Sequence, residues 1–137
     1  MKSLTALTLN LSECKKNSDH VLENLGLDHL ISLTSLTLNF SESNFTDKGL
    51  SNLSSQQLRN LTSLTSFAMN SQSCGFTKQG FYDLYWKGLR SLASLTSLTL
   101  EFSSIQMTDE GLNDLACYGL KPHPSLISLI LVFNPFL

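Results

Sequence analysis

The chain has 137 residues, enough for one domain with a buried core; 42% are apolar, 15% are charged, and the formal net charge is −2. No basic run exceeds Lys15-Lys16, which argues against a face built to neutralise nucleic-acid phosphates. No apolar run approaches the ~20 residues that span a bilayer.

In chain order, Leu4, Leu7 and Leu9 alternate with small polar residues and predict a strand near 4–11. "KKNSDHVLENL" follows, with little left of a helix start. "LTSLTLNF" predicts a strand near 33–40, and "FTDKGLSNL" then shifts to apolar spacing that predicts a helix. A strand near 64–71 precedes a third helix containing "FYDLYWKGL". "LTSLTLEF" gives the strand near 95–102, "MTDEGLNDL" the fourth helix, and "SLILVF" the last strand, near 126–133.

These elements repeat with a fixed step. Leu33, Leu64, Leu95 and Leu126 are each 31 residues apart. Leu36, Phe67, Leu98 and Leu129 keep that step, as do Leu38, Met69, Leu100 and Leu131. So do Phe45/Phe76/Met107, Thr46/Thr77/Thr108, Gly49/Gly80/Gly111 and Leu50/Phe81/Leu112. The first copy lies 29 residues ahead of the second. Thr46, Thr77 and Thr108 are placed to cap their own helices, with Asp47 and Asp109 near the positive helix end. Glycine in a first helical turn costs about 1 kcal/mol against alanine, so its recurrence predicts a neighbouring backbone too close for a Cβ. A unit of strand, loop, helix and return cannot bury its own leucines; stacked neighbours do. The pattern therefore predicts an α/β solenoid with a parallel sheet and a leucine ladder as core.

"LTSLTLNFSESNFTDKGL" resembles the leucine-rich repeat, specifically the cysteine-containing subtype with its Leu-x-x-Leu-x-Leu opening and Ile-Thr-Asp-x-Gly-Leu close. The wording is also similar to repeat arrays of protist, especially ciliate, proteins. The resemblance covers nearly the whole chain and implies one leucine-rich repeat domain over 1–137, with the sheet on the concave side and helices on the convex side. It implies protein-binding surfaces and no catalysis. The 31-residue unit exceeds the usual 20–29 and implies a longer helix or return. Lys78 stands where the motif has Asp.

Little catalytic chemistry is written here. Three cysteines, an odd and low number, fit a reducing, cytoplasmic setting better than a disulfide framework. The sequons at Asn10, Asn39, Asn44, Asn52 and Asn60 leave secretion as the less favoured alternative, since no basic-then-apolar export signal accompanies them. Cys14 and Cys74 share one place in their units, held by Ser43 and Ile105 in others. Two strands apart, roughly 10 Å, they are too distant to bridge and read as half-buried loop residues. Cys117 reads as helix packing. His20, His29 and His123 show no metal spacing, and His123 between Pro122 and Pro124 reads as a rigid turn. Phosphate loops and nucleophile elbows are absent, so no catalytic, cofactor or metal residue is assigned.

Two surfaces remain for a protein partner. The solvent side of the sheet presents Ser35, Thr37, Asn39, Ser66, Asn70, Ser97, Thr99 and Glu101, ending in apolar Ile130 and Val132. It reads equally as a solvated polar ladder. In the third helix, Tyr82, Tyr85 and Trp86 stand where the preceding unit has Ser51, Ser54 and Ser55. They either pack along neighbouring helices or form an aromatic hot spot. Both outer strands lack a polar cap, which predicts either a piece of a longer array or partners over the ends of the solenoid. The expected function is a non-enzymatic protein–protein interaction module, a structural subunit of an assembly. The alternative is a recognition adaptor of the F-box-associated kind, binding on the concave face.

Overall fold

A five-stranded, wholly parallel sheet in sequence order forms one layer, and helices connecting successive strands form the other. The computed structural model describes residues 3–16, 18–103 and 108–134. Ile105 and Met107 lie outside the described residues. The strands are β1 (Ala6–Asn10), β2 (Ser35–Asn39), β3 (Ser66–Asn70), β4 (Ser97–Ser103) and β5 (Ser128–Asn134). The helices are α1 (Ser18–Glu23), α2 (Asp47–Gln56), α3 (Lys78–Asp83) and α4 (Asp109–Asp114). The last two run on into π-helical turns, Leu84–Gly88 and Leu115–Leu120. The chain thus builds the α/β solenoid that its repeat predicts.

Register follows the repeat residue for residue. Leu7, Leu36, Phe67, Leu98 and Leu129 form one rung across the sheet, and Leu9, Leu38, Met69, Leu100 and Leu131 form another. The first leucine of each motif stands outside its strand. Leu33, Leu64 and Leu95 instead close the preceding turn, their N–H groups bonding the carbonyls of Leu30, Leu61 and Leu92 at 3.0–3.1 Å. The threonine after each then ties that turn to the unit before it. Thr34, Thr65 and Thr96 donate their hydroxyls to the carbonyls of Thr5, Thr34 and Thr65 at 3.0–3.2 Å. Ile127 holds this place in the last unit and has no hydroxyl to give.

Between the layers, the leucine rungs of β2, β3 and β4 are fully or almost fully buried with Leu50, Leu53, Leu58, Leu84 and Leu89. Aromatic rings continue the core along the solenoid axis. Phe40 meets Phe45 and Phe76 edge-to-face, Phe76 meets Phe81, and Phe81 meets Phe102, with centroids 4.9–6.0 Å apart. Phe102 then stacks on Phe133 at 5.8 Å. Such ring pairs add about 0.5–1.5 kcal/mol each beyond the area they bury.

The recurring Thr-Asp-x-Gly element works between units rather than within one. Asp19 Oδ1 accepts the Thr46 N–H at 2.9 Å, and its Oδ2 accepts the Thr46 hydroxyl at 2.5 Å. Asp47 does the same for Thr77, with 2.7 Å to the N–H and a shorter bond to the hydroxyl. Thr46 and Thr77 therefore do not cap their own helices; only Thr108 does, accepting from Gly111 N at 3.1 Å. The glycines are explained by the same clamp. A Cβ on Gly49 would overlap the Asp19 carboxylate, and one on Gly80 the Asp47 carboxylate. The closest neighbour is an acidic side chain, and the expected close backbone is present at Gly80 alone, where the Asp47 Cα lies 3.3 Å from the added Cβ. At the third joint Lys78 replaces the aspartate, and the clamp gives way to an exposed Lys78–Glu110 ion pair of 2.6 Å. That bond and charge raise the Lys78 pKa.

The 29-residue first unit omits part of its helix. α1 has six residues against ten in α2. Gln57 fills the gap from the next unit. Buried there, it accepts the Leu27 N–H at 2.9 Å and donates to Leu22 O at 2.6 Å. Later units place Gly88 and Gly119 at this position, where Ser54 and Tyr85 of the preceding helix come close. The shortening also leaves an open polar groove of about 600 Å³ lined by Glu23, Asp28, His29, Asn52 and Gln56.

Candidate interaction surfaces

On the sheet face the residues expected to meet a partner fall into three rows. Register aligns Ser35–Ser66–Ser97–Ser128, Thr37–Ala68–Thr99–Ile130 and Asn39–Asn70–Glu101–Val132. All are half-buried except Ile130, which is half exposed. The asparagines have a structural task. Asn10, Asn39 and Asn70 each accept, at 3.0 Å, the N–H two residues on, at Ser12, Ser41 and Gln72. These bonds turn the chain out of each strand and lead to left-handed residues at Glu13, Glu42 and Ser73, with φ of 54–60°. Glu101 departs from the pattern and takes a side-chain bond from Gln72 Nε2 at 3.3 Å. The row of carbonyl oxygens that looked available to a partner is thus largely used by the chain itself.

The loops after the strands show what the cysteine position does. Cys74 donates its thiol to Ser71 O at 3.2 Å, and Ser43 in the preceding unit donates its hydroxyl to Phe40 O. Cys14 and Cys74 are half-buried, as their place in the repeat predicts. Cys117, expected to pack, is exposed. His123 is more than a turn residue. Its ring is buried and donates from Nε2 to Leu89 O at 2.7 Å, tying the last return to the preceding unit.

The three aromatics of the third helix do not share one surface. Tyr85 is wholly buried, so it is not part of any exposed patch. A bulky ring replaces Ser54 there because the π turn and Gly119 open space between the helices. Its hydroxyl has no hydrogen-bond partner among the described residues, and burial, helped by nearby Asp114, pushes its pKa well above the ordinary phenol range. Tyr82 and Trp86 do lie on the outer helix layer. Tyr118 of the next unit packs edge-to-face against both, at 5.3 and 5.4 Å. Arg90 lays its guanidinium over the Trp86 ring, 3.9 Å from the centroid. Trp86 remains 40% exposed. Tyr118 and Arg90 were missed from sequence, although the 31-residue step puts Tyr118 opposite Lys87, beside Trp86. Next to Tyr82, where the clamp is missing, lies a cavity of about 220 Å³ lined also by Lys78, Gln79, Glu110 and Asp114.

A third surface lies beyond β5 and α4. Leu112, Leu129 and Phe133 are 40–42% exposed, although their counterparts Leu50, Phe81, Leu98 and Phe102 are buried. Among the described residues, no group of three or more His, Cys, Asp or Glu could hold a metal ion. Nor is any helix long and apolar enough to cross a membrane.

These features define an α/β solenoid of stacked strand–helix units around a leucine-rich core. Neither a protein-family model nor a curated protein matches the chain. Among solved structures, it is similar to an internalin from Listeria monocytogenes, with 18% identity over 96% of this chain and a TM-score of 0.26. The chain spans 43% of that protein, and a likeness this loose bears no weight on function.

Proposed function

We propose that the chain is a non-enzymatic protein–protein interaction module, a structural subunit of a larger assembly, built from leucine-rich repeats of the cysteine-containing type. The observation that carries this reading is the apolar rung Leu112/Leu129/Phe133, open where every comparable rung inside the solenoid is covered. Leaving such positions in water forfeits about 25 cal/mol per Å² of apolar surface, and β5 also offers an outer edge for strand pairing. One more layer, from a partner or from further units of the same repeat, recovers both. The adaptor reading, with binding on the sheet face at Asn39 and Asn70, has less support, because those side chains already hold their own turns.

Sedimentation across a wide concentration range tests the proposal. Self-association or capture of a stoichiometric partner is expected, weakened at least tenfold by Leu129→Gln with Phe133→Gln. A soluble, folded monomer at every concentration, with no partner retained through purification, would overturn it.

A further inference from the structure

Both arginines of the chain occupy the same place in consecutive units. Arg59 and Arg90 are 31 residues apart, and Lys121 follows after the same interval. Each succeeds a buried or partly buried leucine, Leu58, Leu89 or Leu120, so the three cations stand at the same place in successive returns from helix to strand. All three are exposed, and among the described residues none forms a hydrogen bond or ion pair with an acidic group. Positive residues near helix C-termini suit the helix dipole, which accounts for their sign. It does not account for the middle one. Arg90 holds its guanidinium over exposed Trp86, which is itself braced by Tyr118. The contact restrains an exposed guanidinium that keeps its capacity to donate to a carboxylate.

We propose that Arg59, Arg90 and Lys121, with Trp86 stacked on the middle cation, form a docking strip for an acidic, extended segment of a partner protein. The reading rests on the interaction function above and names the chemistry of the partner. Successive units are about 4.8 Å apart at the strands and 8–10 Å apart at packed helices, whereas an extended chain advances about 3.3 Å per residue, so a carboxylate at roughly every second or third residue matches the row. Trp, Tyr and Arg together are the residue types in which interface energy concentrates, and the cations add rate and orientation.

Trp86 is the only tryptophan, so its emission reports occupancy directly. The intact chain is titrated with a fluorescein-labelled peptide of four Glu-Gly-Ser triplets, followed by emission and by anisotropy. Saturable binding is expected, about tenfold weaker at high salt. Arg90→Gln should weaken it about tenfold, and Arg59→Gln or Lys121→Gln about threefold, with the far-UV circular dichroism unchanged. No saturable binding overturns the proposal, as does equal binding of a Lys-Gly-Ser peptide or indifference to Arg90→Gln. Tighter binding of a single-stranded RNA of similar length also overturns it, in favour of a nucleic-acid surface. Sedimentation separates the two readings. A monomer that binds the peptide removes the assembly and keeps the strip; an oligomer that ignores it does the reverse.

Discussion

Tyr85 takes the place that Ser54 holds one unit earlier, and both side chains are fully buried. The serine donates to Leu50 O at 2.8 Å, but the tyrosine hydroxyl finds no acceptor among the described residues. An unpartnered buried hydroxyl costs about 1–3 kcal/mol, so Tyr85→Phe should leave thermal stability unchanged or raise it. The variant should also differ at high pH. The folded state holds the phenol above its ordinary value near 10, so the unfolded chain loses the proton first as pH rises. Stability from this group is complete below pH 10 and declines above it, about tenfold in the folding equilibrium constant per pH unit. Denaturant melts at pH 9 and 11 should show this loss in the parent chain and a smaller one in Tyr85→Phe. Gln57 is the opposite case, with both ends of its buried amide engaged. Gln57→Ala orphans Leu27 N and leaves Leu22 O only the 3.5 Å bond from Leu25 N, and should cost about 1–3 kcal/mol in urea melts. In the sequence Tyr85 reads either as packing along neighbouring helices or as part of an aromatic hot spot, and Gln57 has no assigned role. Both depend on the helix next door, whose length and π turn no single-unit pattern reveals.

Among elements, the joint between successive helices carries the most information. The clamp couples Asp47 to Gly80 as well as to Thr77, and a double-mutant cycle exposes that coupling. Gly80→Ala alone must displace the Asp47 carboxylate and should destabilise by about 1–2 kcal/mol. In the Asp47→Ala background the carboxylate is gone and only the Cα of residue 47 stays close, at 3.3 Å, so the same change should be neutral or stabilise by up to about 1 kcal/mol through helix propensity. Equal effects in both backgrounds would contradict the clamp. The third joint supports a test in the other direction. Lys78→Asp sets an acceptor opposite the Thr108 N–H and hydroxyl and places a negative charge at the helix start, at the loss of an exposed ion pair. It should raise Tm by about 3–6 °C in calorimetry. The sequence revealed that Thr, Asp and Gly recur together and that Gly needs a steric reason. It did not reveal the partner, because capping rules look within one helix and the acceptor is 27 or 30 residues away.

At the scale of the molecule, periodicity gave the strand order, the register and the buried rungs, since a stacked repeat allows one arrangement of its leucines. What it hid was variation at a constant position: the cation row at Arg59, Arg90 and Lys121 is invisible along the chain and plain across it. The same geometry governs how the molecule opens. In a solenoid each unit touches only its neighbours, so stability is a sum of unit and interface contributions, and the weakest interface divides it. Two joints have the Asp–Thr clamp; the joint between α3 and α4 has the exposed Lys78–Glu110 pair instead. α4 and β5 should therefore open together, before the units built on α2 and α3. Hydrogen exchange at neutral pH reads this directly: amides of α4 should exchange at least tenfold faster than those of α2 and α3, in one cooperative group. Being the outermost described helix would also speed exchange, so the parent chain alone does not separate the two causes. Lys78→Asp does, because it mends the joint and leaves the outer face as it was. Slower exchange throughout α4 in that variant locates the weakness at the missing clamp, and unchanged exchange locates it at the uncovered rung beyond β5.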